Sequence, residues 1–339
     1  MSTFAQILGQ DAAVGWLATA LAAERLPHAL IFAGAEGVGK ATTARALAAR
    51  FLCTAPKRNN PCGVCESCRS MKADVHPDFH VVHRKQIRQL KPENKGTTLA
   101  AEVIRRFLND KAHLKAVMGG GKVFVVEEAE LMNPTAQNSL LKTLEEPPGN
   151  ALIVLITTNV NLLLPTIRSR SQLVRFGRLP EELVAQELIQ RGIPADDARD
   201  AAAITDGSLG LSLRWLQDGV IASARELARI LDHLGAQSVP DLSQCINNAA
   251  QTYFAAHEAR DANITKDTIT REGLGIIAGI AANHLRRKLP AASDDPDRLD
   301  RLSSAIESVV KTERYLDSNV TISLTTEQLA VNLVGLLVH

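Results

Sequence analysis

Aromatic residues are scarce: Phe, Trp and Tyr together make up 4% of this 339-residue chain. Leu, Ile, Val and Ala must therefore fill whatever cores it builds. No apolar run approaches the roughly 20 residues of a membrane span, and Met1-Ser2-Thr3-Phe4-Ala5-Gln6 lacks the basic start and apolar core of a signal peptide. A cytoplasmic protein with no membrane partner is expected, and there disulfides are disfavoured. No internal repeat or low-complexity tract stands out. What remains is ordinary globular composition, 45% hydrophobic and 22% charged, with length for two or three domains.

The net charge of +1 hides an imbalance. Residues 1–180 carry 23 Lys and Arg against 14 Asp and Glu, and residues 181–339 carry 15 against 23. Either solvated faces or a first half turned towards a polyanion would produce this. The densest basic run is Arg84, Lys85, Arg88, Lys91 and Lys95, with no aromatic residue among them to stack on bases. Any nucleic-acid contact there would be to phosphate, with little sequence readout.

The chain is organised around Gly34-Ala35-Glu36-Gly37-Val38-Gly39-Lys40-Ala41-Thr42, which follows the apolar run Ala29–Ala33 and leads into a helical pattern. Strand, glycine loop and helix are the context of a phosphate-binding P-loop. Its glycines let backbone N–H groups converge on an anion, the helix start adds its dipole, and Lys40 would reach the terminal phosphates. The last motif position departs from the pattern: Ala41 stands where Mg2+ needs a hydroxyl. Thr42 comes one residue late, about 100° further round the helix.

Cys53, Cys62, Cys65 and Cys68 form C-x8-C-x2-C-x2-C. Four clustered thiols suit a closed, structural tetrahedral Zn2+ site, one ion per chain. His76, His80 or His83 could replace Cys53, and free surface thiols are the bland alternative. Cys245 stands alone and is expected in a core.

Further along, Lys122–Val126 is expected as a buried parallel strand ending in Glu127-Glu128, where a Walker B acid pair would sit. A solvated strand end explains the same two residues. Residues 11–25 and 102–108 have helical patterns, and 136–144 is a helix stopped by Pro147-Pro148. Val81-Val82 is a candidate short strand. Leu152–Ile156 is a further strand, ending in Thr157-Thr158-Asn159. Strands alternating with helices imply an α/β domain with a parallel sheet covered on both faces. After Pro180 no strand-like run occurs. Three short helices (181–191, 195–204 and 209–216) and then longer ones are expected, with a loop at 289–296.

Leu8-Gly9-Gln10, Arg25-Leu26-Pro27-His28-Ala29, the P-loop, the cysteine insertion, Asn138–Pro148 and Ile167-Arg168-Ser169-Arg170-Ser171 together resemble the AAA+ clamp-loader subunits of bacterial DNA polymerase III. The Leu-Leu-Lys-Thr-Leu-Glu-Glu-Pro-Pro string and the zinc insertion are highly specific to that group, and the strong motifs cover about residues 7–171. The resemblance implies an AAA+ P-loop domain at 1–176 with the insertion at 53–68, an all-α lid at 177–219 and an all-α collar for oligomerisation at 220–339. Within the family, Ala41, Glu127-Glu128 in place of Asp-Glu, Gly210 where a sensor arginine would stand, and a chain that stops with the collar resemble the delta-prime branch rather than the motor. Arg214, one turn on, is an imperfect substitute for that arginine. Ser171 departs from the family's Ser-Arg-Cys.

The resemblance further implies a stator in a five-membered ring with motor (gamma/tau) and delta subunits. It would donate Arg170 in trans as an arginine finger, and the ring would load the sliding clamp onto primed DNA. Gly34, Gly37, Gly39, Lys40, Thr42, Glu127, Glu128, Thr157 and Thr158 would form a degenerate nucleotide site in which ATP or ADP binding is doubtful. An active AAA+ ATPase and a zinc-dependent nucleic-acid-binding module are the alternatives.

Overall fold

The computed structural model describes residues 3–94, 96–258, 266–317 and 321–338, without the side chains of residues 268 and 317. Lys95 of the basic run lies outside them. The chain divides into two compact units, 1–180 and 181–339.

The first unit is built on a five-stranded, all-parallel sheet. Its strands are β1 (Ala29–Ala33), β2 (Phe79–Val82), β3 (Lys122–Val126), β4 (Ala151–Thr157) and β5 (Gln172–Arg175), in the order β2-β3-β4-β1-β5. Every residue of β1, β3 and β4 is buried, as the apolar runs require of strands covered on both sides. The helices are α1 (Asp11–Ala22), α2 (Lys40–Leu52), α3 (Glu66–Lys72), α4 (Ile87–Leu90), α5 (Ala101–Ile104), α6 (Asp110–Ala112), α7 (Pro134–Glu145) and α8 (Pro165–Arg170).

Alternate strand residues separate two cores. Leu30, Phe32, Val123, Val125, Val154 and Val174 meet Leu17 of α1 and Ala44, Leu47 and Ala48 of α2. Ile31, Phe124, Val126, Ile153 and Leu155 meet Val103, Leu108, Leu140, Leu144 and Ile167 on the other face. Aliphatic side chains dominate both cores, as the shortage of aromatics dictates.

Two local differences from the sequence expectation have physical reasons. The helix expected over 102–108 widens into a π-helical stretch at Arg105–Asn109. Asn109 there donates to Ser139 O (2.8 Å) and accepts from Thr143 Oγ1 (3.0 Å), so the wide turn is tied to α7. The strand β5 was not expected at all: only Val174 of its four residues is buried, too little apolar content to mark a strand.

The second unit contains no strand among its described residues. Its helices are α9 (Glu181–Gln190), α10 (Ala195–Ile204), α11 (Leu209–Gln217), α12 (Val220–Asp232), α13 (Val239–Glu258), α14 (Lys266–Lys288), α15 (Pro296–Asp317) and α16 (Ile322–Leu337). The expected break at 289–296 is a loop with one 3-10 turn, Pro290–Ala292. No helix among the described residues is long and apolar enough to cross a membrane.

Candidate nucleotide site and thiolate cluster

Adjacent parallel strands deliver their following loops to one edge of a sheet, the usual place for ligands in such folds. The neighbours β3, β4 and β1 therefore bring Glu127-Glu128, Thr157-Thr158 and the P-loop together. Gly34 N–H donates to Thr157 O (3.2 Å), joining the loop to the end of β4. A Cβ on Gly34 would stand 2.4 Å from Phe176 O, so only glycine allows that approach. Gly37 and Gly39 have φ of +73° and +106°, which favour glycine.

Within this frame Lys40 is buried, and its Nζ donates to the loop's own carbonyls, Gly34 O at 2.6 Å and Ala35 O at 2.5 Å. Burial lowers its pKa, opposed by the charges of Glu130 and Glu36. Ala41 and Thr42 are exposed, whereas the Thr43 hydroxyl is buried and donates to Gly39 O (2.9 Å). Burial raises the pKa of Glu127. Glu128 sits in a left-handed turn (φ +50°) and pairs with Arg84 Nε at 2.9 Å. Thr157 is buried and its hydroxyl accepts from Asn159 N–H (3.1 Å). Thr158 is exposed and is engaged by Glu130, its N–H at 3.1 Å and its hydroxyl at 2.5 Å.

Sequence reasoning assigned no role to Glu130 or Gln10. Gln10 is buried; its Nε2 donates to Val38 O (3.1 Å) and Gly177 O (2.7 Å), and its Oε1 accepts from Gly177 N–H (3.0 Å). It thus fastens the phosphate loop to the segment that follows β5. The Leu-Gly-Gln string was a visible marker without a visible job.

Arg170 ends α8, immediately before β5. Because β5 runs parallel to β1 with Leu30 beside Gln172, Arg170 lies at the start of the strands, opposite the edge that carries the P-loop. Four to five strand residues separate the two, roughly 15 Å at strand rise. Its guanidinium pairs with Glu145 at 2.6 Å and donates to Thr166 O at 3.1 Å. Arg170 is therefore in an intrachain ion pair, at the end of the sheet remote from its own phosphate loop.

In the second unit, Gly210 lies in the first turn of α11, where Ser208 caps the helix by accepting Leu211 N–H (3.3 Å). The positive charge of Arg214 acts on the Tyr253 phenol of α13.

The four cysteines converge, with all four sulfurs within 4.8 Å of one another. Two pairs, Cys53–Cys65 and Cys62–Cys68, are both 3.9 Å apart. A tetrahedron with arms of about 2.3 Å has an edge of about 3.8 Å, so the donor set fits a four-thiolate metal ion. Backbone N–H groups already point at the sulfurs: Cys62 at Cys53 (3.2 Å), Cys65 at Cys62 (3.3 Å) and Cys68 at Cys65 (3.4 Å). Burial opposes ionisation of Cys65, but donors from Cys68 and Thr54 outweigh it and bring the thiol down to about 6.

Histidine does not join this cluster. His76 is buried, with Nε2 2.9 Å from Ser67 Oγ and Nδ1 accepting from Asp78 N–H (3.1 Å). The Ser67 hydroxyl donates to Leu52 O (2.8 Å), so Nε2 carries the imidazole proton and both ring nitrogens are engaged. His80 stacks on Phe124 with ring centroids 5.0 Å apart.

A P-loop and an acid-ended β3 on one parallel sheet, with a four-thiol knot beside them, define an α/β P-loop protein. The sequence profile described as "DNA polymerase III, delta subunit" matches residues 9–180, and the chain belongs to that family. It is similar to the DNA polymerase III delta' subunit of Escherichia coli, 34% identical over 214 residues that cover 63% of this chain and 60% of that protein. It is also similar to the gamma/tau subunit of Mycobacterium tuberculosis, 29% identical over 394 residues, 94% of this chain and 65% of the relative. The chain thus spans under two thirds of the length of these relatives. Among solved structures, a gamma subunit-related protein of Thermotoga maritima aligns over 94% of this chain and 98% of its own, at 17% identity and a TM-score of 0.46.

Proposed function

We infer that this chain is a clamp-loader subunit of the delta-prime kind. It is a stator that assembles with gamma/tau motors and a delta subunit in a five-membered ring and helps place the sliding clamp on primed DNA. The supporting observation is how its chemistry is divided between two ends of one sheet. At one end, the P-loop lysine is bound by its own loop's carbonyls, with Ala41 at the magnesium position. At the other end, Arg170 is too far from that loop to serve it, and serving a neighbour would mean exchanging its ion pair with Glu145 for that neighbour's phosphate. A guanidinium suits this work because its charge is permanent and its donors are forked.

In this reading one Zn2+ is held by Cys53, Cys62, Cys65 and Cys68 and acts structurally, by knitting the insertion. In the same reading the lid is 177–219 and the collar is 220–339. The chain by itself turns over negligible ATP, since phosphoryl transfer depends on metal and cationic contacts that Ala41 and Gly210 remove.

The test is reconstitution. Arg170→Ala should leave zinc content and ring assembly intact while depressing DNA-stimulated ATPase and clamp loading by the complex. A trans arginine is worth about 10³–10⁵-fold in GTPase examples, and a ring with several sites should show a smaller net loss. A wild-type loading rate for that complex would reduce the chain to scaffold. Motor-like ATP turnover by the isolated chain, abolished by Lys40→Ala, would overturn the stator reading.

A further inference from the structure

Among the acids near the nucleotide site, Glu130 is the one that takes both donors of Thr158. It follows the acid pair at the end of β3, in the 3-10 turn Ala129–Leu131. Its Oε1 accepts both donors of Thr158, the backbone N–H at 3.1 Å and the hydroxyl at 2.5 Å. Its Oε2 is shielded from solvent and has no hydrogen-bond partner among the described residues. Its charge is felt by Lys40, where it counteracts the effect of burial. Thr157, next to Thr158, accepts from Gly34 of the phosphate loop. The carboxylate therefore occupies an N–H and an O–H, donor types that a phosphoryl group would seek there, within electrostatic reach of the Lys40 ammonium.

We propose that Glu130 is an internal counter-anion that closes this P-loop to polyphosphates: its carboxylate takes the donors of Thr158 and sets a negative charge against Lys40. The inference deepens the stator reading and rests on it for the identity of the site. It also separates two defects that Ala41 alone would merge. Loss of the magnesium hydroxyl explains absent hydrolysis, whereas an acid among the phosphate donors explains exclusion of the nucleotide. An incoming polyphosphate would have to displace a carboxylate from two hydrogen bonds and tolerate its charge nearby. A part-buried like charge of this kind weakens binding by about tenfold or more.

The experiment is titration calorimetry of the full chain with Mg-ATP, Mg-ADP and adenosine at fixed ionic strength, using wild type, Glu130→Gln and Glu130→Ala. Glutamine keeps an acceptor for Thr158 and removes only the charge. Both variants should bind Mg-ATP about tenfold or more tightly than wild type, Mg-ADP with a smaller gain, and adenosine with none. That dependence on phosphate number is something a merely structural role would not produce. Adding Lys40→Ala should erase the gain.

The proposal is overturned if wild type already binds Mg-ATP as tightly as the variants, or if the gain is equal for adenosine. It also fails if both variants melt earlier with no gain in nucleotide affinity, since the carboxylate would then be a brace. ATP hydrolysis should stay negligible throughout, because Ala41 is untouched. Hydrolysis by wild type would sink the stator reading, whereas variants without the gain would sink only the role of Glu130.

Discussion

Replacing Cys53 by serine removes one arm of the thiolate tetrahedron, and the structure sets what else should go with it. The insertion is anchored at several points. The Ser67 hydroxyl bonds Leu52 O at the end of α2, His76 bonds Ser67, and Met71 of α3 packs into the core over β1. If α3 detaches when the metal is lost, burial of Met71 contributes about 2 kcal/mol less. The two buried hydrogen bonds each remove about 1 kcal/mol. Cys68, also buried, would add to the loss.

A deficit of about 4 kcal/mol in a unit of this size lowers the melting temperature by roughly 10 °C. The sheet should still form, since its strands lie outside the insertion and Met71 is the single core residue that α3 contributes. The assay is elemental analysis beside thermal denaturation, on freshly reduced wild type, Cys53→Ser and His76→Ala. Wild type should carry about one zinc per chain, Cys53→Ser should lose it and melt early, and His76→Ala should keep it. Retained zinc in Cys53→Ser with loss in His76→Ala would refute the ligand set, and metal-free wild type would refute the site.

Gln10→Ala should destabilise the first unit by about 2–3 kcal/mol, because three hydrogen bonds to the phosphate loop and Gly177 vanish together; urea denaturation measures it, and a loss below about 0.5 kcal/mol would deny the clamp. His80 gives a pH signature. Burial, reinforced by Lys111 and Lys122, lowers its pKa from 6.5 to about 4. Below about pH 6.5 the unfolded chain takes up a proton that the folded one refuses, so stability should fall as pH drops from about 6.5 to about 4 and level off beneath. The effect is about 1–2 kcal/mol, since the ring is partly exposed and solvent screens it. His80→Phe should flatten that part of the urea midpoint against pH, and an unchanged slope would assign it elsewhere.

The parts of the fold visible in the sequence were those with a strong local signature. The strands β1, β3 and β4 are apolar runs, because a parallel strand covered on both faces needs apolar residues at every position. The cysteines announced their cluster by spacing, yet only the structure shows both His76 nitrogens engaged elsewhere. The strand β5 was illegible because an edge strand with one buried residue carries no pattern. Glu130 was illegible for another reason: two residues beyond a recognised acid pair, its meaning depends on Thr158, 28 positions away. The position of Arg170 followed only once β5 was known to run parallel to β1, for that direction places it at the far end of the sheet. Its pairing with Glu145 joins two strings that the sequence showed as separate markers.

The strand order has a consequence for synthesis. The phosphate-loop strand β1 emerges first, but its two sheet neighbours are β4 and β5, which end at Thr157 and Arg175. Residues 29–33 must therefore wait, unpaired and apolar, while more than a hundred further residues are translated. Long-range parallel pairing of this kind is slow and leaves strand edges open to aggregation. The thiolate knot needs only a short loop and can close early, so on the zinc reading proposed above a nascent chain would hold its metal well before it holds its sheet. Zinc supply during translation would then govern how compact the waiting chain is. Starvation for the ion should appear first as lost soluble yield, ahead of any defect in the finished protein.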